Sequence, residues 1–157
     1  MDKNILTINI IEYTPFAIWI KNSKELYLID QFGDKINIDE TEIGKYNQLL
    51  LLKGEGFNSE DVNSFFNLLL VYNDIAIELK EIERIGNRRW NLIFKNNMVV
   101  KFPDENRDII NAWNNLNQLL KNDYILNDIE EIDLRVKNKT FLKYKNGIVE
   151  NIKSKAK

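Results

Sequence analysis

The sequence predicts an α+β domain, a mainly antiparallel β-sheet with two amphipathic helices packed on it. Three observations carry that expectation. Two segments repeat apolar residues at helical steps of three and four, and two others alternate apolar and polar residues about short turns. The order is strands, helix, hairpin, helix, hairpin, in a chain of 157 residues that has room for one sizeable core.

Taken in order, Ile5 to Ile11 is rich in β-branched residues and reads as a strand. Pro15 donates no backbone hydrogen bond, so it belongs at a strand start or edge. Phe16 to Ile20 is apolar on both faces and reads as a strand covered on both sides. Leu26 to Ile29 continues the β pattern, and Phe32-Gly33-Asp34 is turn chemistry before Lys35 to Ile38. The run Leu49 to Leu52 fits helix or strand and ends at Gly54-Glu55-Gly56. A helix spans Ser59 to Tyr72, capped by Asn58, with Val62, Phe65, Phe66, Leu69 and Leu70 on one stripe. A second spans Glu105 to Leu120, with Asp104 as N-cap and Ile109, Trp113, Leu116 and Leu120 on one face.

The hairpins carry register information. With the loop at Lys95 to Asn97, Phe94 faces Met98, Leu92 faces Val100 and Trp90 faces Phe102, making one face wholly apolar. That loop needs a positive φ at its last position, which Asn97 tolerates. In the closing hairpin, a loop at Lys137 to Lys139 sets Ile132, Leu134 and Val136 against Tyr144, Leu142 and Thr140. The other face then pairs Glu131 with Lys145 and Asp133 with Lys143, and opposite charges across strands add roughly 0.2–1 kcal/mol each.

Composition excludes several chemistries. The chain has no cysteine and no histidine, so there is no disulfide, no thiolate or imidazole zinc site, and no Ser-His-Asp or Cys-His arrangement. Net charge is −2, which argues against a nucleic-acid partner, and no apolar run approaches the ~20 residues that cross a bilayer. Gly54-Glu55-Gly56 lacks the Lys-Ser or Lys-Thr of a phosphate loop, and Asp39 to Glu42 lacks the spaced oxygen ligands of a calcium loop. No cofactor is expected. Carboxylates at Asp39, Glu40, Glu42, Glu81, Glu83, Asp128, Glu130, Glu131 and Asp133 leave open a carboxylate-dependent hydrolase, which needs buried, unpaired acids across a cleft.

Several stretches, in their order, resemble the C-terminal β-domain of the FtsQ/DivIB family, in the form found in α-proteobacteria. They are Ile10-Ile11-Glu12-Tyr13-Thr14-Pro15-Phe16-Ala17-Ile18-Trp19, then Leu28-Ile29-Asp30, then the leucine run ending in Gly54-Glu55-Gly56. Glu83 to Leu92 follows with the Glu-Arg-x-Gly-x-Arg-Arg-Trp-x-Leu pattern, then a hairpin ending in Pro103, a helix, and Ile132-Asp133-Leu134-Arg135 before a final strand. Asn97 stands where glycine is common, and the leucine run lacks the usual proline.

The resemblance implies that residues 1–13 are the last strand of a POTRA domain otherwise missing and residues 14–146 the β-domain; the lysines of residues 147–157 suggest a basic, frayed, flexible tail. It implies a non-catalytic scaffold of the division machinery, on the periplasmic side of the inner membrane and anchored by an upstream segment. It implies the partners FtsB and FtsL, with an FtsB strand added at the free edge of the last strand: Thr140, Phe141, Leu142, Lys143, Tyr144 and Lys145. Arg88 and Arg135 join them as partner residues, because arginine pairs bidentately with carboxylates. The competing structural roles are Phe141 packing under the tail and Arg135 pairing with Asp133 or a loop carbonyl. A cytosolic interaction adaptor diverged from the division role is the remaining alternative.

Overall fold

The computed structural model describes residues 12–55, 59–104, 109–121 and 128–153, the side chains of 40, 59, 61–62 and 151–153 apart. The strands are β1 (Pro15–Ile20), β2 (Leu26–Asp30), β3 (Lys35–Ile36), β4 (Leu50–Lys53), β5 (Leu79–Ile85), β6 (Arg89–Phe94), β7 (Val99–Asp104), β8 (Ile129–Asp133), β9 (Lys139–Tyr144) and β10 (Val149–Lys153). The helices are α1 (Ser59–Val71), the short α2 (Asn73–Ala76) and α3 (Ile109–Leu120), with a 3-10 stretch at Glu40–Tyr46. The strands form one sheet, in the order β10-β9-β8-β7-β6-β5-β4-β1-β2-β3.

Neighbours pair antiparallel except β1–β4, β4–β5 and β7–β8. Parallel neighbours need a long crossover. The segment of α1 and α2 supplies it between β4 and β5, and that of α3 between β7 and β8. The expected α+β class with a mainly antiparallel sheet therefore holds, and the ambiguous leucine run is the strand β4.

Both long helices cover the same sheet face. Phe65 of α1 stacks on Trp90 of β6 at 4.4 Å, while Trp113 of α3 meets Phe102 of β7 at 4.9 Å and stacks on Tyr72 at 5.1 Å. Phe66 of α1 reaches Phe16 of β1 at 4.5 Å. The other face stays largely polar from β4 to β9, where ion pairs cross between strands: Lys53 with Glu81 at 2.7 Å, Lys101 with Glu131 at 2.6 Å and Lys143 with Glu130 at 2.8 Å. Burial of Ala17, Ile18 and Trp19 in succession bears out the reading of β1 as covered on both sides.

The first hairpin has the expected register through Leu92 and Val100, and Asn97 sits at φ 66. Beyond Lys101 the register shifts, because Pro103 has no N–H to give the ladder; Phe102 and Pro103 together lie against Trp90. The second hairpin corrects the expected register by two residues. Ile132 faces Leu142, Glu131 faces Lys143 and Asp133 faces Phe141. An even slip keeps the apolar face inward, so the side-chain pattern does not distinguish the two registers. Two hydrogen bonds decide it. Leu134 N–H goes to Lys101 O of β7 at 2.9 Å, and Asp133 Oδ1 accepts from Arg135 N–H at 3.0 Å, so the chain turns out before Val136 can pair. A bulge between Ile129 and Glu131 then aims Glu130 at Lys143.

The expected strand Ile5 to Ile11 and the cap Asn58 lie outside the described residues, as does 105–108 at the expected start of the second helix. Asp104 closes β7.

Candidate functional site

Parallel pairing of β7 and β8 puts the ends of both strands, Asp104 and Asp133, at one end of the sheet. The β5–β6 turn and the start of β9 lie at the same end. In that turn Gly86 and Asn87 both sit at φ 58, and Arg84 Nη2 donates to Asn87 O at 2.9 Å. The chain thus delivers Arg88 and Arg89 beside Asp104, and Arg135 to Lys139 beside Asp133. Together with α3 they enclose a hollow of about 750 Å³.

The sequence-expected residues Arg88 and Arg135 therefore meet in one hollow, joined by Arg89, Lys137 and Lys139. Arg88 Nη1 lies 3.3 Å from Asp104 Oδ2. Arg135 grips Asp133 at both oxygens, Nε to Oδ1 at 2.9 Å and Nη2 to Oδ2 at 2.6 Å, which bears out the competing structural role for this arginine. Cations outnumber carboxylates in the lining, so the hollow favours an acidic group. Arg89, Lys137 and Lys139 were not singled out from sequence. The Arg88-Arg89 pair after a glycine turn was the only signal, and its convergence with residues 137–139 depends on the parallel β7–β8 pairing.

Burial pushes the Asp133 carboxyl up, but the Arg135 side-chain and backbone hydrogen bonds outweigh it and hold the group below its ordinary value. A depressed carboxylate contributes stability that is present above its unfolded value of about 4 and is lost as pH falls through the folded value. Acid titration of unfolding is thus expected to show a decline below pH about 4 that is shallower in Asp133→Asn.

The expected strand Thr140 to Lys145 divides by face. Thr140 and Leu142 are 3% and 0% exposed and belong to the core, so their side chains are closed to a partner. Phe141 and Lys143 lie half-buried on the open face with Val149, Glu131 and Asp133. Tyr144 packs against the core edge and donates its hydroxyl to Glu150 at 3.2 Å; burial and that bond raise its pKa. Lys145 donates its backbone N–H to Asp128 O at 2.8 Å.

One expectation is corrected here. The β9 edge is not free, because β10 pairs along it from Val149 against Lys143 to Lys153 against Lys139. Residues 149–153, read from their lysines as part of a frayed tail, form this strand. The turn that returns them has Gly147 at φ 84, Tyr144 N–H bonded to Ile148 O at 2.9 Å and Asn146 Oδ1 accepting from Ile148 N–H at 3.1 Å.

Five of the acids that left a hydrolase open are engaged. Glu81, Glu130, Glu131 and Asp133 each meet a lysine or arginine, and Glu83 accepts from Asn91 at 3.4 Å. Among the described residues no group of three or more acids is placed to hold a metal ion, and no helix is long and apolar enough to cross a membrane.

A family model described as cell division protein FtsQ/DivIB, C-terminal, matches residues 17–135. The chain is 32% identical to cell division protein FtsQ of Rickettsia prowazekii over 146 residues, covering 88% of this chain and 50% of that protein. It is 31% identical to the FtsQ of Bartonella bacilliformis over 134 residues, covering 85% and 42%. The chain thus spans about half the length of the relatives it matches.

Proposed function

The chain belongs to the FtsQ/DivIB family of cell division proteins, and from that premise we propose that it is a non-catalytic scaffold that holds FtsB, together with FtsL, by strand addition at the β9 end of its sheet. The proposed setting is the periplasmic side of the inner membrane. The supporting observation is the meeting of Arg88 and Arg135 in one cation-rich hollow at the end of the sheet where β9 begins. An added strand bonds backbone to backbone along the edge, and acidic side chains on it reach the arginines. Phe141, Lys143 and Tyr144 supply the contacts beside that strand. Glu130, Glu131 and Asp133 are held in ion pairs on an open face, which supports the scaffold over the hydrolase reading.

Titration with the periplasmic part of FtsB, alone and with FtsL, tests this. Saturable binding is expected, weakened at least tenfold by Arg88→Glu, which corresponds to roughly 1.4 kcal/mol. Thermal stability should barely change, because the Arg88–Asp104 pair is exposed and such pairs contribute about 0–1 kcal/mol. Absence of binding at high micromolar concentration, or binding indifferent to both Arg88→Glu and Phe141→Asp, would overturn the proposal.

A further inference from the structure

We propose that β10 is an intramolecular occupant of the partner's docking edge, a latch that the partner strand displaces. The inference rests on the scaffold reading and adds its regulation.

The last two strands are held unequally. β9 is anchored from both sides of the backbone plane. It pairs with β8 from Phe141 to Tyr144, and Thr140 and Leu142 are buried. Neither of the two β10 residues whose side chains are described, Val149 and Glu150, belongs to the buried core. Its first residue Val149 is 61% exposed, and Ile148 before it is 55% exposed. What holds β10 among the described contacts is the backbone ladder to β9, the tight turn at Lys145 to Ile148, and the Tyr144–Glu150 hydrogen bond. A competing strand supplies the same backbone bonds, so exchanging one for the other costs little ladder energy.

Geometry favours exchange over addition outside β10. Neighbouring strands lie about 4.8 Å apart, so a strand added beyond β10 runs about 10 Å from β9. The groups that recognise a partner are on or beside β9: Phe141 and Tyr144 within it, Lys139 at its start, and Arg135 and Arg88 in the hollow that Lys139 lines. A strand in the place of β10 lies next to all of them. In the free chain the β10 backbone ends at residue 153, opposite Lys139 of the hollow, so a partner strand in its place brings its own residue to that position.

The latch also answers a hazard. An uncovered β9 edge is a template for pairing with another chain, and β10 covers it until a strand of better complementarity arrives.

Two variants test the idea with the FtsB fragment used above. A chain ended after Gly147 removes β10 and is expected to bind at least tenfold more tightly than the full chain. A second variant, Thr140→Cys with Ile152→Cys, crosslinks β9 to β10 in a protein that has no other cysteine, at a β9 side chain closed to the partner. These residues face each other in the ladder, at a separation that a cross-strand disulfide spans. The oxidised form is expected to lose binding and the reduced form to regain it, a comparison within one variant that does not depend on the truncated chain folding. Weaker binding after truncation, or equal binding by the oxidised and reduced forms, overturns the latch and leaves the scaffold reading standing. Failure of both the full and the truncated chain to bind takes down the scaffold reading and the latch with it.

Discussion

Trp113→Ala is expected to lower the unfolding free energy by about 3–5 kcal/mol, the range for deleting a fully buried large aromatic side chain. Trp113 is 0% exposed and is the contact point of three elements. Its ring stacks on Tyr72 at 9° between planes, lies 5.8 Å from Phe65 of α1, and meets Phe102 of β7 at 4.9 Å. Alanine leaves a cavity under both helices at once, and the aromatic pairs around it lose a partner worth roughly 0.5–1.5 kcal/mol each. One term runs the other way. The indole Nε1 is buried without a hydrogen-bond partner, and removing an unsatisfied donor recovers about 1–3 kcal/mol. Trp113→Phe separates the two, keeping most of the ring contact while deleting the orphan donor, and should cost far less than the alanine. In thermal melts, Trp113→Ala should drop the midpoint by about 10 °C, at the 2–4 °C per kcal/mol typical of this size. A phenylalanine variant as unstable as the alanine variant would contradict this account of the core.

Gly54→Ala is expected to cost about 2–4 kcal/mol, although the site lies at the end of a short strand. Gly54 has φ +117, a conformation that L side chains rarely adopt. A Cβ there would stand 2.5 Å from the backbone carbonyl oxygen of Arg84, so either β4 or β5 must move. Neither moves freely. Gly54 N–H donates to Ile20 O at 3.2 Å, and Gly54 O accepts from Trp19 Nε1 at 2.9 Å. The glycine therefore serves the close approach of β1, β4 and β5, the parallel part of the sheet. Denaturant titration of Gly54→Ala beside Gly44→Ala, where the added Cβ meets nothing within 4 Å, checks the claim: the first should be strongly destabilised and the second nearly unchanged.

What could be read in the sequence follows from which patterns have one physical solution. Trp90, Leu92 and Phe94 against Met98, Val100 and Phe102 leave one way to bury an apolar face, and the structure adopts it up to the bulge at Pro103. The stripe of α3 was as plain, because Trp113 and Leu116 recur at helical spacing. Ile132 to Tyr144 had two solutions related by an even slip, and the choice was made by Leu134 bonding to β7, a contact invisible in a local pattern. β5 escaped because Arg84 faces inward beside Ile82, with its guanidinium 4.3 Å over the Trp90 ring, and breaks the alternation. β10 escaped because the lysines of the chain end outweighed the short stretch Ile148-Val149, and its ladder to β9 is a contact no local pattern shows. The same limits apply to the candidate site. Arg88 and Arg135 were legible as arginines suited to bidentate carboxylate pairing, and only the parallel β7–β8 pairing explains why they share a hollow.

The central claim is that a partner strand occupies the outer side of β9. The most direct measurement is residue-resolved amide hydrogen exchange of the chain with and without a saturating FtsB fragment. The account predicts that the fragment frees the amides of 149–153 while those of 139–145 stay protected, with little change around β3 or on α1. Protection gained on β10 itself, or confined to the β3 edge or to the helices, would contradict it.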